Sequence, residues 1–474
     1  MVSLMVIAFV VGYVCIAVEH DIGINKAATA ILLGMTLWIL YMFSGSGVII
    51  GENLENFEHF LAENPEFSAL SRAKQAVKFV ANYQIVEYLG DYTQIILYLM
   101  GAMTIVELID VHGGFSVITD RITTSNKRRL LWILAFMTFF MSAVLDNLTT
   151  AIVMTMLLRK LVGDKRERWL FASVVIIAAN SGGAWTPTGD VTTIMLWIAE
   201  NVTTAPLLRD LFLPALASML VPLAIVSKML GSGAAQKPEA AAKKSPREPM
   251  SLRERTAILV VGISAFVCVP IFKALTGLPP FAGVLLALGL IWILVEIIYN
   301  GKKNIAPAEQ LRIQNIIGRI DITTILFFIG ILMAVAALQS AGVLKTVSEF
   351  LDKNVSNAYI INTIIGMLSA IVDNVPLVAG AMGAYSIPVA DALANAKNAA
   401  YLANFAQDGI FWQTLAYCAG VGGSMLIIGS AAGVIVMGLE KITFMWYAKN
   451  ISFLAFLGYI SGILVYAAQN AIFG

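Results

Sequence analysis

The sequence predicts an all-α polytopic membrane protein built from inverted-topology repeats, with two re-entrant hairpins and two discontinuous helices. Three observations carry this fold class. Hydrophobic residues make up 59% of the 474 residues and charged residues only 13%, where a soluble domain is about a quarter charged. Apolar runs at 95–109, 257–272 and 281–298 approach the roughly 20 residues that cross a bilayer as a helix. A polar motif, SAVLDN at 142–147, returns as SAIVDN at 369–374, each time inside an apolar stretch.

Taken in order, the run at 1–18 lacks a basic leader and a small-residue cleavage site and reads as a retained span. A second span follows at 26–43. Residues 51–81 are amphipathic and acidic, an interfacial helix or external cap, so 1–90 form an N-terminal block. The first repeat, 91–230, holds a span at 91–110, the first hairpin at 130–158, a span at 168–200 interrupted by polar and Gly-rich sequence, and a span at 207–228. Residues 231–253, with AAQKPEAAAKKSPREP, have the composition of a flexible cytoplasmic linker. Two spans, 254–272 and 280–299, and a basic loop fill 254–319. The second repeat, 320–474, has a span at 320–340, the second hairpin at 357–390, an interrupted span at 409–440 and a last span at 447–470. Each hairpin pairs two short helices with Asp–Asn at the turn. Non-helical backbone at membrane depth is tolerated only where protein or a wet cavity covers it.

Lys/Arg asymmetry sets the orientation. Residues 121–129 carry four bases and no acid, 159–168 five against two acids, 231–255 six against three, and 301–319 four against one. Counted through the spans, all four segments fall on one side, the cytoplasmic one. The acidic segments, 51–91 with seven acids against three bases and 391–408 with two against one, fall on the other. Both termini are then outside a multi-pass protein of the cell (inner) membrane. The same count puts an odd number of crossings, about five, between corresponding spans, which turns the second copy upside down.

The halves match beyond the SAxxDN motif. IILYLMG at 95–101 has the pattern of TILFFIG at 324–330, and each precedes a hairpin. Gly182, Gly183 and Gly189 in NSGGAWTPTGD have the spacing of Gly422, Gly423 and Gly429 in GVGGSMLIIGS. Inverted repeats with discontinuous helices in matching positions mark secondary transporters whose site lies at the midplane. Chance likeness among Gly-rich packing segments competes with this reading; the agreement of motif, spacing and charge parity weighs against it.

An Asp at bilayer depth costs on the order of 3 kcal/mol, so such residues face a functional cavity. Asp146 and Asp373 sit at the two tips, expected to approach each other, and Asn147 and Asn374 follow with neutral oxygen ligands. Ser142, Thr149 and Thr150 add hydroxyls at the first tip and Ser369 at the second. Oxygen-only donors suit a hard cation. The first interrupted span adds Asn180, Ser181, Thr186, Thr188, Asp190, Thr192 and Thr193, with unwinding expected at 181–189 and Pro187 preventing re-closure. The second adds Ser424 and Ser430 but no acid, which singles out Asp190 as the proton-linked residue. Helix capping is the competing reading for all three acids. Glu107 and Asp321 are pathway candidates, the first equally readable as an interfacial carboxylate. His20, His59 and His112 are expected in solvated loops. Cys15, Cys268 and Cys418 lie in apolar segments without metal-ligand spacing and read as packing residues.

Together, SAVLDNLTTA, NSGGAWTPTGDVTT and SAIVDNVPLVAG resemble the NhaD-type sodium/proton antiporters of the ion transporter superfamily, which also holds sodium–dicarboxylate symporters and arsenite permeases. The resemblance runs from about residue 90 to the C-terminus. It implies a homodimer, each protomer with a scaffold and a mobile transport region, exchanging external H+ for internal Na+ or Li+. It implies functional positions at Asp146, Asn147, Thr149, Asn180, Asp190, Thr192, Thr193, Ser369, Asp373, Asn374, Ser424 and Ser430, with Na+ at Asp146, Asn147, Asp373 and Asn374. On this reading Na+ and H+ compete for one carboxylate-lined midplane cavity. The rivals are a sodium-coupled symporter of a small anion such as a dicarboxylate, whose substrate would meet Asp146 and Asp373, and an arsenite-type permease. Symmetric breaks argue against a channel, and paired intramembrane acids against a non-transporting scaffold. With no Walker motif, nucleotide loop or soluble catalytic domain in the sequence, no enzyme activity, cofactor, nucleotide or nucleic acid is expected. The expected partners are membrane lipid and the second protomer that the resemblance implies.

Overall fold

Apolar segments destined for a bilayer fold as helices because a helix satisfies its own backbone N–H and C=O groups. A computed structural model describes residues 1–119, 122, 124–231, 233–234, 250–302, 310–389 and 399–473. Among these the chain is helical apart from turns, loops and one isolated bridge between Asn126 and Ala234. Among the described residues, six helices are long and apolar enough to span: Arg72–Val111, Thr204–Met229, Leu252–Thr276, Pro280–Asn300, Ile322–Ser340 and Ser452–Phe473. The chain is a multi-pass membrane protein.

Several boundaries differ from expectation for local reasons. Helices Val2–Ala17 and Lys26–Met42, of 16 and 17 residues, reach only about 25 Å at 1.5 Å per residue. The last span starts at Ser452 rather than 447, because Phe444–Asn450 is a separate helix bent 113° from Ala431–Glu440. The first interrupted span breaks at 184–190, between Lys165–Gly183 and Val191–Ile198, so Ser181 stays helical where unwinding was expected. The second breaks between Ile410–Gly422 and Ala431–Glu440. At the SAxxDN motifs, Lys127–Ser142 is followed by Asn147–Leu161, and Ala358–Leu368 by Asn374–Ala384. The acidic 51–81 segment forms short helices, Leu54–Glu63 and Arg72–Phe79 among them, with Phe57, Phe60, Phe67, Phe79 and Tyr83 ring against ring.

All three histidines depart from the expectation of solvated loops, His20 by lying in the short helix Glu19–Ile22. His59 is in helix Leu54–Glu63 with Glu63 3.6 Å away. His112 is buried, its Nδ1 2.7 Å from the Leu108 carbonyl and its Nε2 3.2 Å from the Tyr299 hydroxyl. Most of the expected linker (232 and 235–249) lies outside the described residues, as do 120–121, 123, 303–309 and 390–398 of the expected loops.

The chain forms two compact units. One comprises Met1–Leu97, Asp321–Asn357 and Val375–Pro388. Within it, Lys26–Met42 lies along Ile322–Ser340 with backbone against backbone, and Gly34 and Gly330 make the approach possible. A methyl on Gly330 would strike the Ala30–Ile31 backbone. Small residues at such crossings replace the hydrophobic drive that lipid removes. The Asn53 side chain adds a 3.0 Å hydrogen bond to the Ser340 carbonyl.

The other unit comprises Tyr98–Ile320, Ala358–Asn374 and Val389–Gly474. Thr204–Met229 lies along Ser452–Phe473, Lys165–Gly183 packs on Lys127–Ser142, and Ala358–Leu368 on Ile410–Gly422. Leu252–Thr276 and Pro280–Asn300 pair with each other and expose Val260, Val267, Ile271, Leu286, Leu290 and Ile293, the apolar outer face that lipid requires. This unit carries the polar cluster described below.

Gly330→Leu should overpack its crossing by about 1–3 kcal/mol and lower the thermal midpoint of the detergent-purified protein. Gly289→Leu, whose Cβ position is open, should leave that midpoint unchanged or raise it.

Candidate functional site

Asp190 is the N-cap of Val191–Ile198 and is 1% exposed. A broken helix leaves its first N–H groups without partners, and a carboxylate at the N-cap satisfies them. Here Oδ1 accepts from the Thr192 N–H at 3.1 Å, while Thr193 closes a capping box against the Asp190 backbone. The cap uses only part of the carboxylate's capacity. Oδ2 accepts from the Asn147 amide at 2.7 Å, and the Asn374 amide lies 3.4 Å from both oxygens.

The two SAxxDN tips therefore converge on Asp190, through their asparagines. Asn180 extends the cluster. Its Oδ1 accepts from Asn147 at 3.2 Å, and its Nδ2 donates to Ser424 Oγ at 2.9 Å and Ser430 Oγ at 3.0 Å. Gly420 lines the same spot, since a methyl there would sit 3.5 Å from Asp190 Oδ2. Asn147, Asn180, Asn374, Ser424 and Ser430 are all buried. These partners are amides and hydroxyls, neutral groups around one carboxylate.

The tip acids are differently placed. Asp146 is half-buried and caps its own helix, accepting from Thr149 N at 2.8 Å and Thr149 Oγ1 at 2.7 Å. Asp373 is half-buried too, and both acids lie within electrostatic reach of Asp190. The capping reading thus holds for Asp146 and Asp190, and in neither does it exhaust the oxygen lone pairs. The Thr150 hydroxyl is buried and makes no hydrogen bond among the described residues. The Thr192 hydroxyl lies beside the Asp190 carboxylate without hydrogen-bond geometry. Among the described residues no group of three or more His, Cys, Asp or Glu is placed to hold a metal ion.

The remaining expected residues lie elsewhere. Ser181 accepts from Ser218 Oγ at 2.8 Å, a contact that fastens Lys165–Gly183 to Thr204–Met229. Glu107 is half-buried and lies 3.8 Å from Arg319. Asp321 is exposed and caps Ile322–Ser340 through Thr324, at 3.1 Å from N and 2.5 Å from Oγ1.

The same contacts occur around both tips. Ser142 Oγ donates to the Ala179 carbonyl at 2.6 Å, and Ser369 Oγ to the Ala419 carbonyl at 2.8 Å. Gly182 admits the Phe139 carbonyl as Gly422 admits that of Gly366; Gly183 faces Gly189 as Gly423 faces Gly429. Asp190 and Ser430 hold the same N-cap position. Sequence reasoning found most of this but missed Gly420, and it missed Glu440, a fully buried acid whose only signal was an apolar helix ending in a charge.

Bilayer-length apolar helices and a buried cluster of oxygen donors define the class, a multi-pass membrane transport protein. The chain belongs to the citrate transporter family (CitMHS), whose model matches residues 13–406. It is 42% identical over 470 residues to sodium/proton antiporter 1 of Arabidopsis thaliana, covering 98% of this chain and 72% of the relative. With sodium/proton antiporter 2 of the same plant it shares 41% identity over 474 residues, covering 98% and 99%. The Na(+)/H(+) antiporter NhaD of Alkalimonas amylolytica is 28% identical over 493 residues, covering 98% and 89%. The resemblance to NhaD-type antiporters thus extends to the first ~90 residues, where no motif carried it. The family is one of transporters rather than enzymes.

Asn180→Ala removes one buried hydrogen bond from each of Asn147, Ser424 and Ser430. It should cost about 1–3 kcal/mol, measured as a lower midpoint of detergent-solubilised protein, with Ser181→Ala the milder change.

Proposed function

We propose that the chain exchanges cytoplasmic Na+, or Li+, for external H+ across the cell (inner) membrane, both ions competing for the Asp190 carboxylate. The observation that carries this is the fully buried Asp190 with Asn147, Asn180 and Asn374 from three helices around it. A carboxylate buried without a counter-charge is costly. A proton neutralises it covalently; a Na+ ion does so by coordination, with amide and hydroxyl oxygens completing its shell. Either ion makes the site neutral, and the two cannot share one oxygen. The empty, charged site is then the species that does not reorient, which couples the two fluxes.

In this reading Asn147 and Asn374 rotate their amides to turn carbonyl oxygens to the cation. The Thr150 and Thr192 hydroxyls supply further oxygens, and Asp146 and Asp373 draw the cation in. The matched contacts around the two tips support an inverted repeat with re-entrant hairpins; a site at the membrane midplane and both termini outside belong to the same proposal. The relatives named as sodium/proton antiporters support the choice of ions. A homodimer with a fixed scaffold and a moving transport region completes the proposal.

The family description favours a second reading, sodium-coupled uptake of citrate or another small carboxylate. Against it, an anion at this cluster would face the Asp190 carboxylate, with Asp146 and Asp373 nearby and neutral groups as partners.

In everted vesicles energised by respiration, NaCl or LiCl should dissipate the pH gradient reported by a quenched dye. Asp190→Asn should abolish the response. It also sets two amide NH2 groups face to face across the Asn147 contact, so protein abundance must be measured alongside. Asp146→Asn keeps a good N-cap and should reduce exchange at normal abundance. Normal exchange in both variants would sink the carboxylate site; Na+-dependent uptake of labelled citrate without proton exchange would favour the second reading.

Acidifying the bath on the cytoplasmic face should raise the NaCl concentration for half-maximal exchange while leaving the saturated rate little changed. A pH-independent half-maximal concentration would rule out competition.

A further inference from the structure

Glu440 is the last residue of Ala431–Glu440, and its side chain is 0% exposed. Arg159 Nε donates to Oε1 at 2.7 Å and Arg168 Nε donates to Oε2. Arg159 also reaches the Leu439 carbonyl, and Trp169 Nε1 donates to the Glu440 carbonyl at 3.0 Å. Arg168 further donates to the Val162 and Gly163 carbonyls at 3.1 and 3.2 Å, closing the loop between its helix and the one before. Burying a carboxylate this deeply is costly unless it is paired and hydrogen-bonded, as this one is by two arginines.

The three helices joined here are the three that build much of the Asp190 cluster. Asn147–Leu161 starts with Asn147 and carries Arg159 in its last turn. Lys165–Gly183 carries Arg168 near its start and Asn180 near its end. Ala431–Glu440 is capped by Ser430 and ends at Glu440. Between cluster and triad each helix runs ten to twelve residues, about 15–18 Å at 1.5 Å per residue. Similar lengths pinned at both ends make a rigid frame, and a helix held at one end alone can slide or rotate at the other.

We propose that Glu440, with Arg159 and Arg168, is a positioning residue for the ion site, fixing from the far end the register at which Asn147, Asn180 and Ser430 meet around Asp190. This rests on the exchange reading above. Groups that orient the side chains ligating an ion commonly change its affinity by about 10–100-fold when removed. A bond whose only role was stability would change the amount of folded protein and leave the affinity of the folded fraction alone.

The test is dye-reported exchange in everted vesicles carrying the full chain, titrated with NaCl and normalised to folded protein. Glu440→Gln should raise the half-maximal NaCl concentration on the order of tenfold with the saturated rate within about twofold. Arg159→Gln alters a side chain that is 43% exposed; it should fold normally and raise that concentration about two- to fivefold. Where Glu440→Gln fails to accumulate, Arg159→Gln decides alone. Unchanged half-maximal concentrations, with only abundance or thermal midpoint lowered, overturn the inference while leaving exchange intact. Native vesicles that ignore NaCl overturn the exchange reading and this inference with it.

Discussion

A carboxylate held away from water must be answered by something, and Asp190 sets that demand in this molecule. Its immediate answer is local: the N-terminus of Val191–Ile198 supplies N–H groups that the break in the chain would otherwise leave bare. The rest comes from other helices, with Asn147 and Asn374 brought from two turns and Asn180 bridging onward to Ser424 and Ser430. Hydrogen bonds from neutral amides ease the charge without cancelling it. A protein that wanted only a stable interior would have placed an apolar residue here.

Breaking a helix inside an apolar environment exposes backbone groups that lipid cannot satisfy. Each break is therefore matched by a neighbouring turn. Thr186 Oγ1 donates to the Ala143 carbonyl at 2.6 Å and the Asn147 N–H donates to the Gly189 carbonyl at 3.1 Å, so turn and break satisfy each other. Close approach is the condition for that exchange, which is why Gly182 and Gly422 stand where a carbonyl from the helix before each SAxxDN turn passes. The glycines, the tip serines and the capping residues together let irregular backbone sit in a buried, apolar interior, and the Asp190 cluster lies where two such arrangements meet.

Much of this could be read from the chain. Apolar run lengths gave the helices, and the paired SAxxDN and Gly-rich motifs gave the residues that come together, because buried polar groups stand out against an apolar background. Three features were harder to see. The hydrogen-bonded cluster is centred on Asp190, with Asp146 and Asp373 half-buried, since sequence shows which acids lie in apolar stretches but not which one the asparagines face. Ser181 is one residue from Asn180 yet bonds Ser218, because neighbours on a helix point about 100° apart. Glu440 escaped notice because its partners are far away in sequence and an acid at a helix end ordinarily reads as a solvated one.

The matched frame also explains why only one break carries an acid. Asp190 and Ser430 occupy the same N-cap position, and both are good caps. A second aspartate at 430 would meet Asn180 with an acceptor and add a second full charge to one small buried space, where like charges repel strongly. Serine caps equally well, accepts from Asn180 and adds no charge. The structural half of the pattern can therefore be duplicated freely, while the charged half cannot. On the exchange reading proposed above, one carboxylate at the centre of the cluster gives a monovalent ion one place to bind and leaves that carboxylate neutralised when it does.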